Sequence, residues 1–469
     1  MDEHELLAQV ERSLRVGDRA DATRYIYHYI LEEDVTLTDA RWRTLWSEIR
    51  PLFLRRYSIE AAERLDTVFE LVSPTDEALL ALRLGEDGRV TFLLGAGASK
   101  PEPSGLPTVE ELLPELWRRA AKLGRDDLKR LQEWCEHPRH AIKNIEDLLT
   151  AAYIADFSSR NSRVLALLEY FLYRQRPSRP AEEEFASLAS RRAAVAAVSE
   201  SDAAGIALLQ DTLQTLFGLL LGRMILARPN PAHAAIASLA KQCERVSVVT
   251  TNYDGCIDQA MIDGKLRPHY LIEMEQPKDG CVTLVKMHGS INWSYCDSCQ
   301  EMKLHELAHM RKSYDADTLS FPVIGICKNC GGQRRPMVVP PMSFKFVMFP
   351  PLLVLWDRAQ AAFNDSSIIV SVGYSFSEAD IYITKMISRA MGQDRNKKLV
   401  VIDPNAQLAD MLRDKLDALI DNFDRSRVIR SCESCDVIVP QLAQSLVAAR
   451  VKSRGRKDGA RGAAKSSKG

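Results

Sequence analysis

Three polar side chains follow short apolar runs, in positions from which they could act on a substrate. Thr250-Thr251-Asn252-Tyr253-Asp254 comes directly after the run beginning at Val246. An amide and a carboxylate at a strand end can orient a ribose and a water, so Asn252 and Asp254 are the candidates, with Thr250 and Tyr253 as framework. The same residues also read as an Asx turn or as the cap of the following helix. His288, within Met287-His288-Gly289-Ser290-Ile291-Asn292-Trp293, again lies just past an apolar run. Near neutral pH an imidazole can take a proton from a hydroxyl, and Gly289 leaves room for a substrate beside it. A lone histidine is more often structural; its position beside a ligand turn makes it a candidate base.

Gly95-Ala96-Gly97-Ala98-Ser99 lies between an apolar run and a helical pattern. Small residues there let backbone amides approach a pyrophosphate, although a plain tight turn reads the same way. Lys100 stands where the dinucleotide fingerprint has its third glycine, which disfavours an ordinary dehydrogenase. Gly373-Tyr374-Ser375 opens a second glycine-led turn, and Asp403-Pro404-Asn405 offers groups suited to an adenosine ribose. Both segments also fit helix caps, with Ser377 or Asn405 at the N-cap.

Cys296-x-x-Cys299 and Cys327-x-x-Cys330, the latter followed by Gly331-Gly332, have the form of two knuckles closing one tetrahedral zinc site. The intervening loop is longer than the usual ~15–20 residues, which costs little closure entropy. Four thiolates leave no open coordination position, so this zinc is structural. Cys432 and Cys435 form a third pair without a fourth partner, and Cys135, Cys243, Cys256 and Cys281 are scattered. All six read as packing residues.

The elements that must position these groups follow from patterning. With 469 residues, 46% apolar and 27% charged, the chain can bury one sizeable core or more, which excludes a disordered or fibrous protein. With 62 basic against 63 acidic residues there is no global field to gather nucleic acid or an anionic membrane. Residues 1–88 read as amphipathic helices, with Leu6, Leu7, Val10 and Leu14 at helical spacing. Short apolar runs then end at Leu94, Thr250, Met287, Val372 and Ile402, most of them followed by polar turns and helical patterns. That is a doubly wound, parallel α/β sheet, Rossmann-like, whose ligands bind beyond the carboxyl ends of the strands. Thr108 and Glu111 are spaced as a capping box. Residues 144–228 read as a helical insertion, 294–336 as a zinc subdomain, and 447–469 as a disordered basic tail. The acidic N-terminus lacks a secretion signal, and Arg223 interrupts the apolar stretch from Leu216. A cytoplasmic protein without a membrane span is expected, and direct nucleic-acid binding is not.

Taken in order, GAGAS, TNYD, HGSINW, the paired knuckles, CKNCGGQRRPMVV, VGYSF and VVID resemble the sirtuin superfamily over residues 89–446. The resemblance implies an NAD-binding Rossmann-like domain carrying a zinc subdomain. It implies that Asn252 and Asp254 hold the nicotinamide ribose and its water and that His288 is the base. Gly95, Ala96, Gly97, Ser99, Thr251, Gly373, Ser375, Asp403 and Asn405 would then line the rest of the NAD site. The peptide-binding side departs from the deacylases. Gly105-Leu106-Pro107-Thr108 replaces the segment with an aspartate and an arginine, Pro340-Pro341-Met342-Ser343-Phe344 replaces a Phe-Gly-Glu loop, and the residues from Gly373 to Asp380 replace the other peptide clamp. With the added helices, this looks like the sirtuin-like NAD hydrolases of bacterial antiphage defence. The implied activity is cleavage of NAD to ADP-ribose and nicotinamide, and an NAD-dependent protein deacylase or a non-catalytic NAD or ADP-ribose sensor are the alternatives. Since unrestrained NAD loss would kill the host, that activity implies control by assembly as a homo-oligomer or by a partner, such as a helicase-like ATPase or a phage-derived trigger.

Overall fold

The strands, in chain order, are β1 (Val90–Leu94), β2 (Val246–Thr250), β3 (Arg267–His269), β4 (Cys281–Lys286), β5 (Gly289–Cys296), β6 (Met302–Leu304), β7 (Arg334–Val338), β8 (Ile368–Val372), β9 (Lys398–Ile402) and β10 (Val428–Ser431). The computed structural model describes residues 3–15, 18–32, 41–53, 56–58, 61, 64–65, 89–158 without 139 and 141, 200–270 without 244, 281–314 without 297, 325–339 without 333, 351–376, 381–444 and 446–447. The segment 340–344, the 377–380 part of the segment 373–380, the stretch 159–199 of the expected insertion, most of residues 54–88 and the tail from 448 lie outside the described residues.

Seven strands form one sheet in the order β10-β9-β8-β1-β2-β4-β3, and each of its pairings is parallel. β1 and β8 are buried along their whole length, as apolar runs covered on both faces must be. Alternate residues serve opposite faces. Leu93, Val249, Val285, Ile369 and Val401 enter one core cluster, while Phe92, Leu94, Val248, Leu284, Val370 and Val400 enter the other.

Register brings the functional loops to one level. Leu94 pairs with both Thr250 and Val372, Thr250 with Lys286, and Val372 with Ile402. The turns after β1, β2, β4, β8 and β9 therefore leave the sheet side by side. From β1 the chain builds to one side through β2, β3 and β4, and later to the other through β8, β9 and β10. β1 thus sits at the topological switch point, where open parallel sheets make their ligand crevice.

Helices α1 (Glu3–Arg15), α2 (Arg19–Tyr25) and α3 (Arg41–Phe53) pack Leu6, Leu7 and Val10 with Trp42, Trp46 and Phe53 in a cluster of their own. α4 (Val109–Lys122), α5 (Asp126–Cys135), α6 (Ile145–Ser158) and α7 (Glu200–Leu226) share the first sheet cluster with α10 (Leu307–Ser313), α11 (Leu352–Asp365), α12 (Ile381–Gln393) and α13 (Gln407–Leu419). α8 (Pro231–Gln242) and α9 (Cys256–Asp263) cover the opposite face. α4 starts on the Thr108–Glu111 capping box, with both reciprocal bonds made. No helix among the described residues is long and apolar enough to cross a membrane.

Patterning gives no signal for five strands, β3, β5, β6, β7 and β10. β3 and β10 are edge strands of three and four residues carrying Arg267, Pro268 and Arg430, the short polar build that protects an edge. β5 pairs antiparallel with β6 and β7 in a separate three-stranded sheet. It is buried throughout although Ser290, Asn292 and Ser294 interrupt its apolar character. Those hydroxyls and that amide are satisfied internally: Ser290 Oγ donates to Asn292 Oδ1 at 2.6 Å and Ser294 Oγ lies 2.9 Å from His305 Nε2.

Candidate functional site

A cavity of about 650 Å³ opens over the switch point, within the usual range for small-molecule sites of roughly 300–1,000 Å³. Ala96, Gly97, Ser99, Thr251, Asn252, Asp254, His288, Gly373, Ser375, Asp403 and Asn405 all line it. Of the residues proposed from sequence for NAD, Gly95 alone stands outside the lining. It is buried behind the wall, where a Cβ would come within 2.5 Å of the Gly373 carbonyl oxygen and of Tyr374 Cα.

The glycine turns do structural work first. A Cβ on Gly97 would lie 2.8 Å from Gly373 Cα, so the turns after β1 and β8 can cross only because both are bare. Several amides of this turn are already engaged: Gly95 N donates to Val372 O, Gly97 N to Gly373 O at 2.9 Å and Ala98 N to Gly95 O. Residues Ala96–Ser99 form a single 3₁₀ turn, and the next α-helix begins only at Val109. Thr108, Val109 and Glu110 at its start also reach the cavity.

The loop after β2 is pinned from several sides. Thr250 Oγ1 donates to Leu94 O at 3.1 Å and accepts from Asn252 N at 3.0 Å. Asn252 Nδ2 donates to Gly95 O at 2.8 Å and to Ser99 Oγ at 3.3 Å, which assigns its nitrogen and leaves Oδ1 as the acceptor offered to the cavity. Asp254 uses one oxygen as the turn residue foreseen from sequence, accepting from Cys256 N at 2.9 Å, and the other to accept from Ser99 Oγ at 2.9 Å. It shapes the turn and lines the cavity at once. Tyr253 OH donates to Val339 O at 3.0 Å, a framework bond.

His288 is 3% exposed and sits between two aromatic rings, 6.2 Å from Trp356 and 6.3 Å from Tyr253 by centroid. Its backbone is fixed by Val339 N, which donates to His288 O, and by Trp356 Nε1, which donates to Met287 O. Gly289 serves a purpose other than the expected one. It has φ +83°, and a Cβ there would collide with the Met337 carbonyl of β7, so the glycine closes the β5–β7 pairing.

Beyond β9, Asp403 Oδ1 accepts from Asn405 N and Asn405 Oδ1 from Gln407 N, so both side chains shape the start of α13 as well as lining the cavity. Burial raises the Asp403 carboxyl above its ordinary value, the Asn405 amide opposes this and the nearby Glu110 reinforces it.

Several contributors were not read from sequence. Asn230 and His233 stand behind Ser99; the Asn-Pro helix start was their signal. Lys286, fully buried, donates to Asp254 O at 2.6 Å and to Asp258 Oδ2 at 2.9 Å, while Tyr270 OH donates to Asp258 Oδ1 at 2.6 Å. A lysine ending an apolar strand needs such a partner, and that was its signal. Cys435, read as a packing residue, lines the cavity with Glu433 and Ser434. Glu146 of α6 and Met224 of α7 contribute from the helical side.

Away from the cavity, Cys296, Cys299, Cys327 and Cys330 bring all four sulfurs within 4.8 Å of one another. The Cys296–Cys330 and Cys299–Cys327 sulfurs lie 3.5 and 3.7 Å apart. A zinc–sulfur bond of about 2.3 Å in a tetrahedron requires sulfurs roughly 3.8 Å apart, so the cluster fits zinc. Nearby, Arg334 pairs with Glu301 and donates to Ser294 Oγ at 3.2 Å, tying the knuckles to β5.

The family model of the SIR2-like domain matches residues 246–421. An NAD-dependent protein deacylase of Methylococcus capsulatus is 27% identical over 153 residues, 33% of this chain and 49% of that protein. An NAD-dependent protein deacetylase of Sulfolobus acidocaldarius is 28% identical over 153 residues, 32% of this chain and 46% of that protein. The chain thus spans about half the length of these curated relatives. Among solved structures, a Sir2 homolog–NAD complex aligns with 80% of this chain and 94% of its own, at 16% identity and a TM-score of 0.41. Over residues 246–421, therefore, this chain is similar to the SIR2-like domain.

Proposed function

We propose that the protein is an NAD hydrolase, cleaving NAD to ADP-ribose and nicotinamide. The observation that carries this reading is the convergence of Ser99, Asn252, Asp254 and His288 on one cavity whose wall includes the Gly97–Gly373 crossing. In the reaction the bond from ribose C1′ to the nicotinamide nitrogen breaks, and its electron pair neutralises the cationic ring as it leaves. Water adds to the oxocarbenium-like carbon and gives up a proton, a course stabilised by polar groups as in glycoside hydrolysis. Asn252 Oδ1 orients a ribose hydroxyl or the attacking water. Asp254, held by Ser99 and Cys256 N, supplies the negative field that favours the cationic sugar. His288 takes the proton. Asp403 and Asn405 receive the adenosine ribose, and a zinc on Cys296, Cys299, Cys327 and Cys330 would hold the β5–β7 sheet in place.

The departures at Gly105–Thr108, at 340–344 and at 373–380 favour water over an acyl-lysine peptide as the acceptor. With the added helices they also point to an effector of antiphage defence that depletes NAD; because unrestrained NAD loss would kill the host, that activity implies control by homo-oligomer assembly, a helicase-like ATPase or a phage-derived trigger. A deacylase is the second reading, favoured by the named activities of the curated relatives. Incubating NAD with the protein, with and without acetyl-lysine peptide and under assembling or triggering conditions, separates them. Free ADP-ribose without peptide is expected. Peptide-dependent turnover giving O-acetyl-ADP-ribose overturns the hydrolase. Asn252→Ala and His288→Ala should each lose about a hundred-fold or more in rate while the former still binds NAD.

A further inference from the structure

Behind the cavity wall, Asn230, His233, Ser99 and Asp254 form a hydrogen-bonded chain, each of them 5% exposed or less. Its direction can be followed end to end. Asn230 N donates to His233 Nδ1 at 3.3 Å, and a backbone amide can only donate, so Nδ1 carries no proton. Burial holds the imidazole well below its ordinary value, at about 4, against the opposing pull of Asp254 and Asp258, so at neutral pH the ring is uncharged. Its one proton is then on Nε2, 3.4 Å from Ser99 Oγ. That oxygen also accepts from Asn252 Nδ2 at 3.3 Å. With both acceptor positions filled, the hydroxyl proton has one outlet, Asp254 Oδ2 at 2.9 Å.

We propose that His233 is a positioning residue for the NAD reaction: by donating to Ser99 it locks the hydroxyl rotor that holds Asn252 and Asp254 in their working arrangement. The inference rests on the NAD reading above. His233 itself is not part of the cavity lining. Without its donor, Ser99 can turn its proton elsewhere, and the carboxylate and amide lose their common anchor.

The test uses two substitutions of similar bulk in the full chain. His233→Gln keeps an N–H at the Nε2 position, within reach of Ser99. His233→Leu fills the space with no donor. The leucine variant should lose about tenfold or more in kcat for ADP-ribose formation, the size of one lost hydrogen bond, with KM for NAD within about threefold of the parent. The glutamine variant should stay within about threefold in both. If a thermal melt shows the leucine variant unfolded, His233→Asn, polar but too short to reach Ser99, takes its place with the same expectation. Parental kcat in the donor-less variant, or an equal loss in the glutamine variant, overturns the proposal and leaves His233 as helix-start packing. No ADP-ribose from the parent protein instead overturns the NAD reading itself, and the inference with it.

Discussion

Lys286 Nζ donates to the main-chain carbonyl of Asp254 at 2.6 Å, from a side chain with no solvent exposure. The loop carrying Asn252 and Asp254 is therefore anchored from beneath by a buried charge, whose counterion Asp258 is equally buried. Removing one partner of such a pair typically costs about 3–5 kcal/mol, because the other is left charged or must neutralise. Lys286→Met should lower stability by that order in urea denaturation. Lys286→Met combined with Asp258→Leu should recover part of it, since two apolar residues leave no stranded charge. Turnover should not return with the stability, because the Asp254 carbonyl still lacks its donor. Recovery of both together would show that the lysine matters to the fold alone.

Gly373 has φ +57° and Gly124 has φ +62°, yet only Gly373 is crowded. A Cβ on Gly124 meets nothing within 4 Å, whereas one on Gly373 would collide with the backbone of Gly97 and Ala98. Gly124→Ala therefore measures the left-handed strain by itself, about 1–2 kcal/mol. Gly373→Ala should cost distinctly more in a thermal melt and should also weaken NAD binding by calorimetry, since the displaced turn forms the cavity wall. Equal effects of the two substitutions would mean that the crossing of the two turns is not tight.

The four-cysteine cluster should hold close to one zinc per chain. Metal ligation of this kind is folding free energy, so Cys327→Ser should lower both the zinc content and the melting temperature. Elemental analysis of a folded, active preparation checks it; less than about a tenth of an equivalent would remove zinc from the account of β5–β7.

The parallel sheet was legible because its central strands are covered on both faces and write themselves as β-branched runs: β1, β2, β8 and β9 sit where Val90–Leu94, Val246–Thr250, Ile368–Val372 and Lys398–Ile402 announce them. The residues that line the cavity at the ends of those strands were legible for the same reason. What stayed hidden was polar and buried. β5 carries no strand pattern in the sequence because its Ser290, Asn292 and Ser294 are bonded inside the protein instead of facing water. His233 and Lys286 act through partners 134 and 28 residues away, Ser99 and Asp258, and such pairings exist only once the sheet has brought the turns together. Gly289 was assigned to a substrate, whereas β7, invisible to patterning, is what requires it.

Asp403 permits a prediction in which stability and binding move in opposite directions. Burial, the largest influence, raises its carboxyl above the ordinary aspartate value, the Asn405 N–H opposes that and Glu110 adds to it. A group whose folded value is raised contributes stability below its unfolded value, near pH 3.9, and loses that contribution as pH rises through the folded value. Above the folded value the ionised carboxylate is thus a cost to the fold. Asp403→Asn should raise the melting temperature at about pH 8, and the gain should shrink toward zero at or below about pH 4. If the carboxylate is kept to accept the hydroxyls of an adenosine ribose, as acidic residues at this position of dinucleotide sites do, the same substitution should weaken NAD binding in a titration at about pH 8. A more stable, weaker-binding variant is the expected signature of a residue retained for its ligand. A variant that is less stable at high pH and binds NAD as well as the parent would instead make Asp403 the cap of the Asn405 turn and nothing more.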